Sequence, residues 1–467
     1  MAIIHSSVPV VDNNSTKPFF STQLFSLSVI CVFVLVCRHF SIISSFIRRP
    51  PPSSLSGGVP HGNENTLAIK YLLVYSIAMA ADWLQGPYAY RLYRHEYENS
   101  ERGVALLFVL GFASAGVSAN FVGKWADLYG RRFICLCFCA SYSASCLLVL
   151  QKGHYGLLVI ARILGGFSTS ILFSVFETWL VAQANAINMS SSGLSSIFGT
   201  ASLLNGLAAA LAGLTSNALV NHYSSCKAPF VASAVALWIA AACIYYFWEE
   251  NYGSNTTDDH QSQHRISNMF KDLRLLGIAM IQTLFESSMY LFVFQWVPTL
   301  EEAQTNDDPA STMELPLGII FSFFMVSMML GSQVYSYLCG DSTDSATQLP
   351  AKQVIALHSR LCAVMCAIAG TSLAYASTIS NLASRFYGFA LFEACVGMYF
   401  PVVGFLKSRL ITDEDRRGYL TALLRLPLNI VVALILLTGF EEQRERVFVG
   451  ITLMLVTASG ISVIISD

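Results

Sequence analysis

"GKWADLYGRR", Gly123 to Arg132, is a charged turn between two apolar stretches. "VALLFVLGFASAGVSANFV" (104–122) precedes it and "FICLCFCASYSASCLLVL" (133–150) follows it. Gly123 and Gly130 allow tight helix ends and close approach of chain segments. Asp127 can pair with Arg131, with Arg132 or with the end of another helix. A basic cluster between two spans marks a cytoplasmic loop. A chance charged turn is the bland account. Which reading holds depends on whether the flanking stretches are two spans of a larger set.

They are two of many. The chain has 467 residues, of which 54% are hydrophobic and 12% charged, against about 25% charged in a soluble domain. Its apolar blocks reach the length of about 20 residues that a helix needs to cross the hydrocarbon layer. A first block covers about 22–47. Twelve more follow at about 66–93, 101–122, 130–150, 154–182, 192–222, 227–248, 269–299, 313–339, 352–376, 382–406, 417–439 and 443–466. Blocks this long are not the alternating strands of a barrel wall, so the expected class is an all-helical polytopic membrane protein. The formal net charge of −2 gives no basic surface for nucleic acid.

With the Lys124, Arg131 and Arg132 loop on the cytoplasmic side, alternate loops put most other Lys and Arg there as well. The opposite side receives fewer, among them Arg91, Arg94, Arg102 and Arg444, together with the acidic stretch "EEAQTNDDPASTMEL" (301–315). The C-terminus is then inside. The block at 22–47 reads as a retained extra helix with an outside N-terminus, or else as a signal anchor or a cleaved signal peptide, although no convincing small-residue cleavage site follows it. The expected organisation is an N-terminal segment over 1–65 (that helix and a linker), a six-helix half over 66–248, a mobile, charged cytoplasmic linker over 249–268 and a second six-helix half over 269–467. Two such halves suggest a secondary transporter built from repeats.

Ionisable residues inside spans each cost roughly 2.5–3.5 kcal/mol or more at a helix centre unless paired or wetted. They are Asp82, Arg162, Glu177, Glu286, Glu393 and Arg425. A structural ion pair is as good an account of any one of them as a functional role. Taken together they say more. Arg162 and Arg425 lie one in each half, and two guanidinium forks facing each other could clamp a small oxyanion. Asp82 and Glu286 occupy corresponding places in the two repeats, where they can hold the arginines when the site is empty or take protons. Gln85, one turn from Asp82, can donate to an anion without adding charge. Glu177 lies towards the cytoplasmic end of its span and suits a gate or proton path. Glu393 suits either coupling or a plain interhelical pair. Pro87, Pro298, Pro401 and Pro427 break or bend spans. The cysteines, mostly inside apolar blocks, read as buried small hydrophobes. No metal-ligand spacing, phosphate loop or nucleophile motif implies a cofactor or an enzyme.

The turn at 123–132 resembles the major facilitator signature G-x-x-x-D-x-x-G-R-R and stands in the same inter-helix loop. In that superfamily the element latches the two halves together during alternating access, a role that the resemblance extends to Gly123, Asp127, Gly130, Arg131 and Arg132. "ARILGGFST" (161–169) carries the R-x-x-x-G spacing of the family's fourth helix. "AADWLQGPYAYRLY", "GGFSTSILFSVFETW", "IQTLFESSMYLFVFQWVP", "PLGIIFSFFM" and "MYFPVVGFLKSRL", in this order, resemble the molybdate-anion transporter branch of the superfamily from about residue 66 to the end. The resemblance implies a twelve-helix body with a short helix before it, no cofactor, and uptake of molybdate across the plasma membrane, with proton coupling open. Residue types alone do not separate molybdate from sulfate. They leave room for a carrier of a sugar or other metabolite, or for a non-transporting accessory protein.

Overall fold

A computed structural model describes residues 16–48, 61–253, 273–309, 314–339, 351–410, 431–432, 435 and 444–466. Its helices are α1 (Thr16–Arg48), α2 (His61–Gln85), α3 (Glu101–Tyr129), α4 (Arg131–Val149), α5 (Tyr155–Leu172), α6 (Val175–Ala186), α7 (Ser191–Tyr223) and α8 (Ala228–Phe247). They continue with α9 (Leu273–Asp307), α10 (Leu317–Cys339), α11 (Ala351–Thr378), α12 (Leu382–Leu410) and α13 (Arg444–Ser466). Among the described residues these make 12 helical spans long and apolar enough to cross a membrane, with α5 and α6 sharing one span. Helix is what such residues must form, because lipid offers no partner for backbone N–H and C=O groups. The expected block at 417–439 lies, apart from 431, 432 and 435, outside the described residues.

The two-fold repeat is visible in the packing. α2 lies on α8 as α9 lies on α13, and α3 on α5 as α10 on α12. α4 meets α5 and α8 as α11 meets α12 and α13. α1 stands outside the repeat and rests on the second half. Phe20, Leu24 and Cys31 are buried there, and the Phe20 ring meets Phe386 of α12 edge-on at 5.0 Å. Phe25, Ile30 and Phe33 on its other side are exposed, as a lipid-facing surface should be.

The buried apolar side chains fall into two clusters. One consists of first-half residues only, from Leu67 and Tyr71 to Trp179 and Trp248. The other joins Tyr88, Tyr90, Tyr93 and Phe108 of the first half to the core of the second half, including Phe285, Phe294 and Phe386. The halves therefore share one core, and on the first-half side it is drawn from the end that the charge bias places outside. Across that boundary α7 and α10 touch at backbone distance. A side chain on Gly213 would meet the Gly318 carbonyl at 2.7 Å, and one on Gly318 would meet the Asn217 Cβ at 2.7 Å. Ser322 Oγ of α10 donates to the Ala210 carbonyl of α7 at 2.7 Å. Small residues bring membrane helices into this kind of contact, since lipid tails supply no hydrophobic drive between helices.

Inside the second half the same device recurs. A Cβ on Gly331 would collide with the Ala394 carbonyl, and one on Gly397 with the Met328 carbonyl, both across the α10–α12 seam. Gly404, on α12 too, has open space around it. Gly331→Leu and Gly397→Leu should each destabilise the folded protein by about 2 kcal/mol or more, seen as a lower unfolding temperature in detergent. Gly404→Leu should leave that temperature unchanged.

Candidate functional site

The site is built where α2 ends. Pro87 has no N–H to continue the helix, and the chain tightens into a narrow turn at Gly86–Tyr88 and then opens into a wide one at Leu92–Glu96. Wide turns of this type inside helices often accompany function. Asp82, one turn before the break and partly buried, accepts a hydrogen bond from the Tyr142 hydroxyl of α4. Arg162 of α5 lies within electrostatic range of Asp82 and of Tyr142. The fully buried Tyr93, from the wide turn, has its hydroxyl next to the same guanidinium. Arg162 Nε donates to the Leu107 carbonyl at 3.2 Å, and its guanidinium carbon lies 5.2 Å from the centre of the Phe108 ring. A side chain on Gly111 would come within 2.8 Å of the guanidinium, so this glycine makes its room. Arg162 itself is partly buried, at the edge of the first-half wall.

The second half supplies a parallel arrangement. Glu286 of α9 accepts from the Tyr399 hydroxyl of α12 at 3.1 Å, and the Tyr399 ring stacks on Phe285 at 4.1 Å. Phe112, next to Gly111, stacks at 4.5 Å on Tyr290, one turn beyond Glu286. This contact brings the Arg162 wall and the Glu286 wall towards each other. The two arrangements are not copies. Tyr142 is on α4, whereas Tyr399 is on α12, which packs in its half as α5 does in the other.

The other expected residues are more scattered. Gln85 turns away from Asp82 and clips α2 to α8: its Nε2 donates to Ser233 Oγ at 3.0 Å, and that hydroxyl donates to the Ala81 carbonyl at 2.6 Å. Glu177 is exposed near the start of α6 and within electrostatic range of Tyr71 and Tyr75 of α2, the second of which also feels Asp82. Glu393 is buried on α12. Arg425 lies outside the described residues, so the described structure contains one arginine of the expected pair. Tyr142, Tyr399 and Tyr93 were not singled out from the sequence. A tyrosine in an apolar run carries no signal of its own; only the neighbouring charge explains it.

The turn at 123–132 is tied to the chain that follows α8. Asp127 Oδ1 pairs with Arg131 Nη2 at 2.8 Å, and the Gly253 N–H donates to the Asp127 carbonyl at 3.1 Å. Glu250 accepts from the N–H groups of Arg132 and Phe133 at 2.8 and 3.1 Å. It caps the first turn of α4, where unpaired donors and the helix dipole favour a carboxylate. Gly130 has φ +102°, and a side chain there would collide with that carboxylate. Arg132 Nη2 donates to the Tyr245 carbonyl at 2.6 Å and its guanidinium lies over the Tyr245 ring. Asn251 Nδ2 donates to the Trp179 carbonyl at 3.2 Å, and Trp179 stacks on Trp248 at 3.8 Å. Gly123 has open space around it. Residues 249–253, expected as the start of a mobile linker, are thus part of a folded clasp, because α4 needs an anion at its N-terminus. The hydrogen bonds described for the turn stay within the first half.

Among the described residues no group of three or more His, Cys, Asp or Glu side chains could hold a metal ion, and the described cysteines are unbridged.

A family of sugar transporters with twelve transmembrane segments matches residues 53–391. The molybdate-anion transporter of Xenopus tropicalis is 33% identical over 421 residues, 90% of this chain and 89% of that protein. That of Takifugu rubripes is 33% identical over 88% of each chain. That of Danio rerio is 31% identical over 80% of this chain and 79% of that one. The nucleoside transporter NupG superposes with a TM-score of 0.63 at 9% identity, covering 86% of this chain and 97% of its own. The xylose transporter XylE from E. coli superposes with a TM-score of 0.61 at 11% identity, covering 85% of this chain and 96% of its own. At such identities the two structures speak for the fold alone.

Glu250→Ala removes the acceptor for two α4 amides and should lower stability by about 1 kcal/mol. Gly130→Ala should lower it at least as much, through the positive φ and the collision with Glu250. Thermal unfolding in detergent reads both, with Gly123→Ala as the neutral control.

Proposed function

This chain belongs to the major facilitator superfamily, in the branch of the molybdate-anion transporters, and from that premise we propose that it carries molybdate across the membrane by alternating access. The observation that carries the reading is Arg162. It is a guanidinium held at the edge of the first-half wall by the Leu107 carbonyl and the Phe108 ring, with Asp82 as the nearby countercharge. Guanidinium keeps its proton and presents a planar fork of donors suited to a tetrahedral oxyanion. With the site empty, Asp82 balances the charge. When the dianion binds, Asp82 must yield, either by moving away from the guanidinium while keeping its bond to Tyr142 or by taking a proton. Arg425 is the proposed second fork.

Uptake of a dianion works against a negative-inside potential. At about 2.3 kcal/mol per charge for each 100 mV, two charges face about 4.6 kcal/mol. Protons moving with the anion offset this, and Asp82, Glu286 and Glu393 are the proposed carriers. Glu177, which feels the same Tyr75 as Asp82, suits the inner end of that path. In this reading the turn at 123–132 is the latch, released from the second half and folded onto residues 249–253. The chain is a carrier without a catalytic group, an integral multi-pass protein of the plasma membrane. Selection between molybdate and sulfate follows from cavity size and donor placement.

Radiolabelled molybdate uptake in cells lacking their own carrier tests this. Wild-type protein should support uptake that excess sulfate competes only partly. Arg162→Ala should lower uptake at least tenfold, about 1.4 kcal/mol of lost binding, at unchanged surface level. Arg162→Lys, which keeps the charge and loses the fork, should fall in between. Normal uptake by Arg162→Ala would overturn the clamp, and a surface-expressed wild type that moves no molybdate would overturn the substrate.

A further inference from the structure

The outer end of the bundle carries charged contacts that neither the clamp nor the latch uses. Arg91 Nη2 lies 2.9 Å from Glu314 Oε1. His95 Nε2 lies 3.1 Å from Glu301 Oε2. Arg444 Nη2 lies 3.3 Å from Glu101 Oε1, while its Nη1 reaches Glu302 at 3.2 Å and the Pro298 carbonyl at 2.9 Å. Arg91, His95 and Glu101 belong to the first half; Glu314, Glu301 and Arg444 belong to the second. Three ion pairs therefore cross between the halves at one end. Three of their members, His95, Glu301 and Arg444, border a cavity of about 340 Å³ that Tyr90, Arg94 and Glu302 also line.

Below the charges lies an aromatic stack. The Tyr90 ring meets Phe294 edge-on at 5.6 Å, and Phe294 meets Phe108 edge-on at 5.5 Å. All three are buried. Phe108 is the ring that carries Arg162 on its face. One line of contacts thus runs from the outer ion pairs to the clamp arginine. The turn that presents Arg91 and His95 is anchored by Glu96, which accepts from the Cys226 amide and from Ser225 Oγ.

We propose that Arg91–Glu314, His95–Glu301 and Glu101–Arg444 form the outer gate of the carrier, and that protonation of His95 strengthens its closed state. The proposal rests on the alternating-access reading of the fold. Imidazole changes charge between about pH 5 and 8. A neutral His95 gives Glu301 an ordinary hydrogen bond; a protonated one gives a charge-assisted bond about twice as strong. The other groups around it leave that pairing in place. Arg94 beside it donates to the Asn99 carbonyl at 3.0 Å. Glu302 of α9 is held by Arg444 of α13, and Glu96 by Cys226. Tyr90 contributes an uncharged phenol. The protonated ring binds Glu301 more strongly than the neutral one, so acid favours the closed gate. Acid outside would then hold the carrier shut to the outside.

Hydrogen exchange on the purified full-length protein, read over residues 86–98 and 294–306 and corrected for intrinsic rates, tests the gate without any substrate. Exchange in these segments should be about two- to five-fold slower at pH 6 than at pH 8, the range that partly exposed pairs support. His95→Gln should abolish the difference, and Glu301→Gln should do the same by removing the other partner. Arg91→Glu should raise exchange at both pH values, and the double variant Arg91→Glu with Glu314→Arg should restore it. An equal rate at both pH values in the wild type, or a difference that persists in both His95→Gln and Glu301→Gln, overturns the role of His95. Unchanged exchange in Arg91→Glu overturns the gate. Because the readout contains no molybdate, a wild type that moves none leaves the gate standing. Normal uptake with exchange unchanged in Arg91→Glu removes the gate and leaves the carrier.

Discussion

Arg162 cannot shed its charge, so the bundle must match that charge within the membrane. Much of the first-half architecture follows from this requirement. α3 carries Gly111 where a side chain would strike the guanidinium, and α5 carries Gly166 where one would strike the Gly111 carbonyl. The two helices touch closely because two glycines face each other, and the closeness delivers the Leu107 carbonyl and the Phe108 ring to the arginine. The break at Gly86–Pro87 brings Tyr93 round to the same place. Asp82 thereby has a buried phenol bonded to it, that of Tyr142, and a partly buried cation, Arg162, within electrostatic range, and both offset its cost inside the membrane.

The same use of small residues governs the boundary between the halves. At Gly213 and Gly318 the α7 and α10 backbones meet, and the Gly318 N–H donates to the Tyr88 hydroxyl across the seam at 3.4 Å, while that hydroxyl donates to Asn217 Oδ1 of its own half at 2.9 Å. Such a contact is dry and short-ranged, so it is made or broken as a unit. The ion pairs beside it act over longer distances and weaken gradually with separation. A closed state held by both has a sharp inner seal and a softer outer fringe. The fringe is where solvent conditions act.

Spans, helical class and repeat were legible in the sequence because they rest on length and hydropathy, which are local. The charged members of the candidate site stood out in the sequence because each is costly where it stands. Their partners were not. Tyr142 and Tyr399 sit in apolar runs as unremarkable aromatics, and only tertiary packing places them against carboxylates. Gln85 was expected beside Asp82 from its one-turn spacing, yet such spacing leaves two residues on neighbouring faces, and the face of Gln85 belongs to α8. Glu250 was read as part of a mobile linker because polarity is the only local signal there. The need of α4 for an anion at its N-terminus is not written in residues 249–253 but in the helix they return to.

The turn at 123–132 and the outer ion pairs show how a two-fold repeat supports a directional machine. Each half repeats the helix packing of the other, but the charged decoration is unequal. The inner turn is folded onto its own half through Glu250 and Asn251, whereas the outer charges reach across to the other half. Among the described residues, the bonds of the inner turn lie within the first half, while the outer pairs join the two halves. Rocking the halves the other way must part Arg91 from Glu314, His95 from Glu301 and Glu101 from Arg444. It can return to the chain an inner contact only if Asp127, Arg131 or Arg132 finds a partner on the second half. The balance between two access states then depends on whether that inner exchange offsets three lost outer pairs. That balance sets which side of the membrane the bundle opens to.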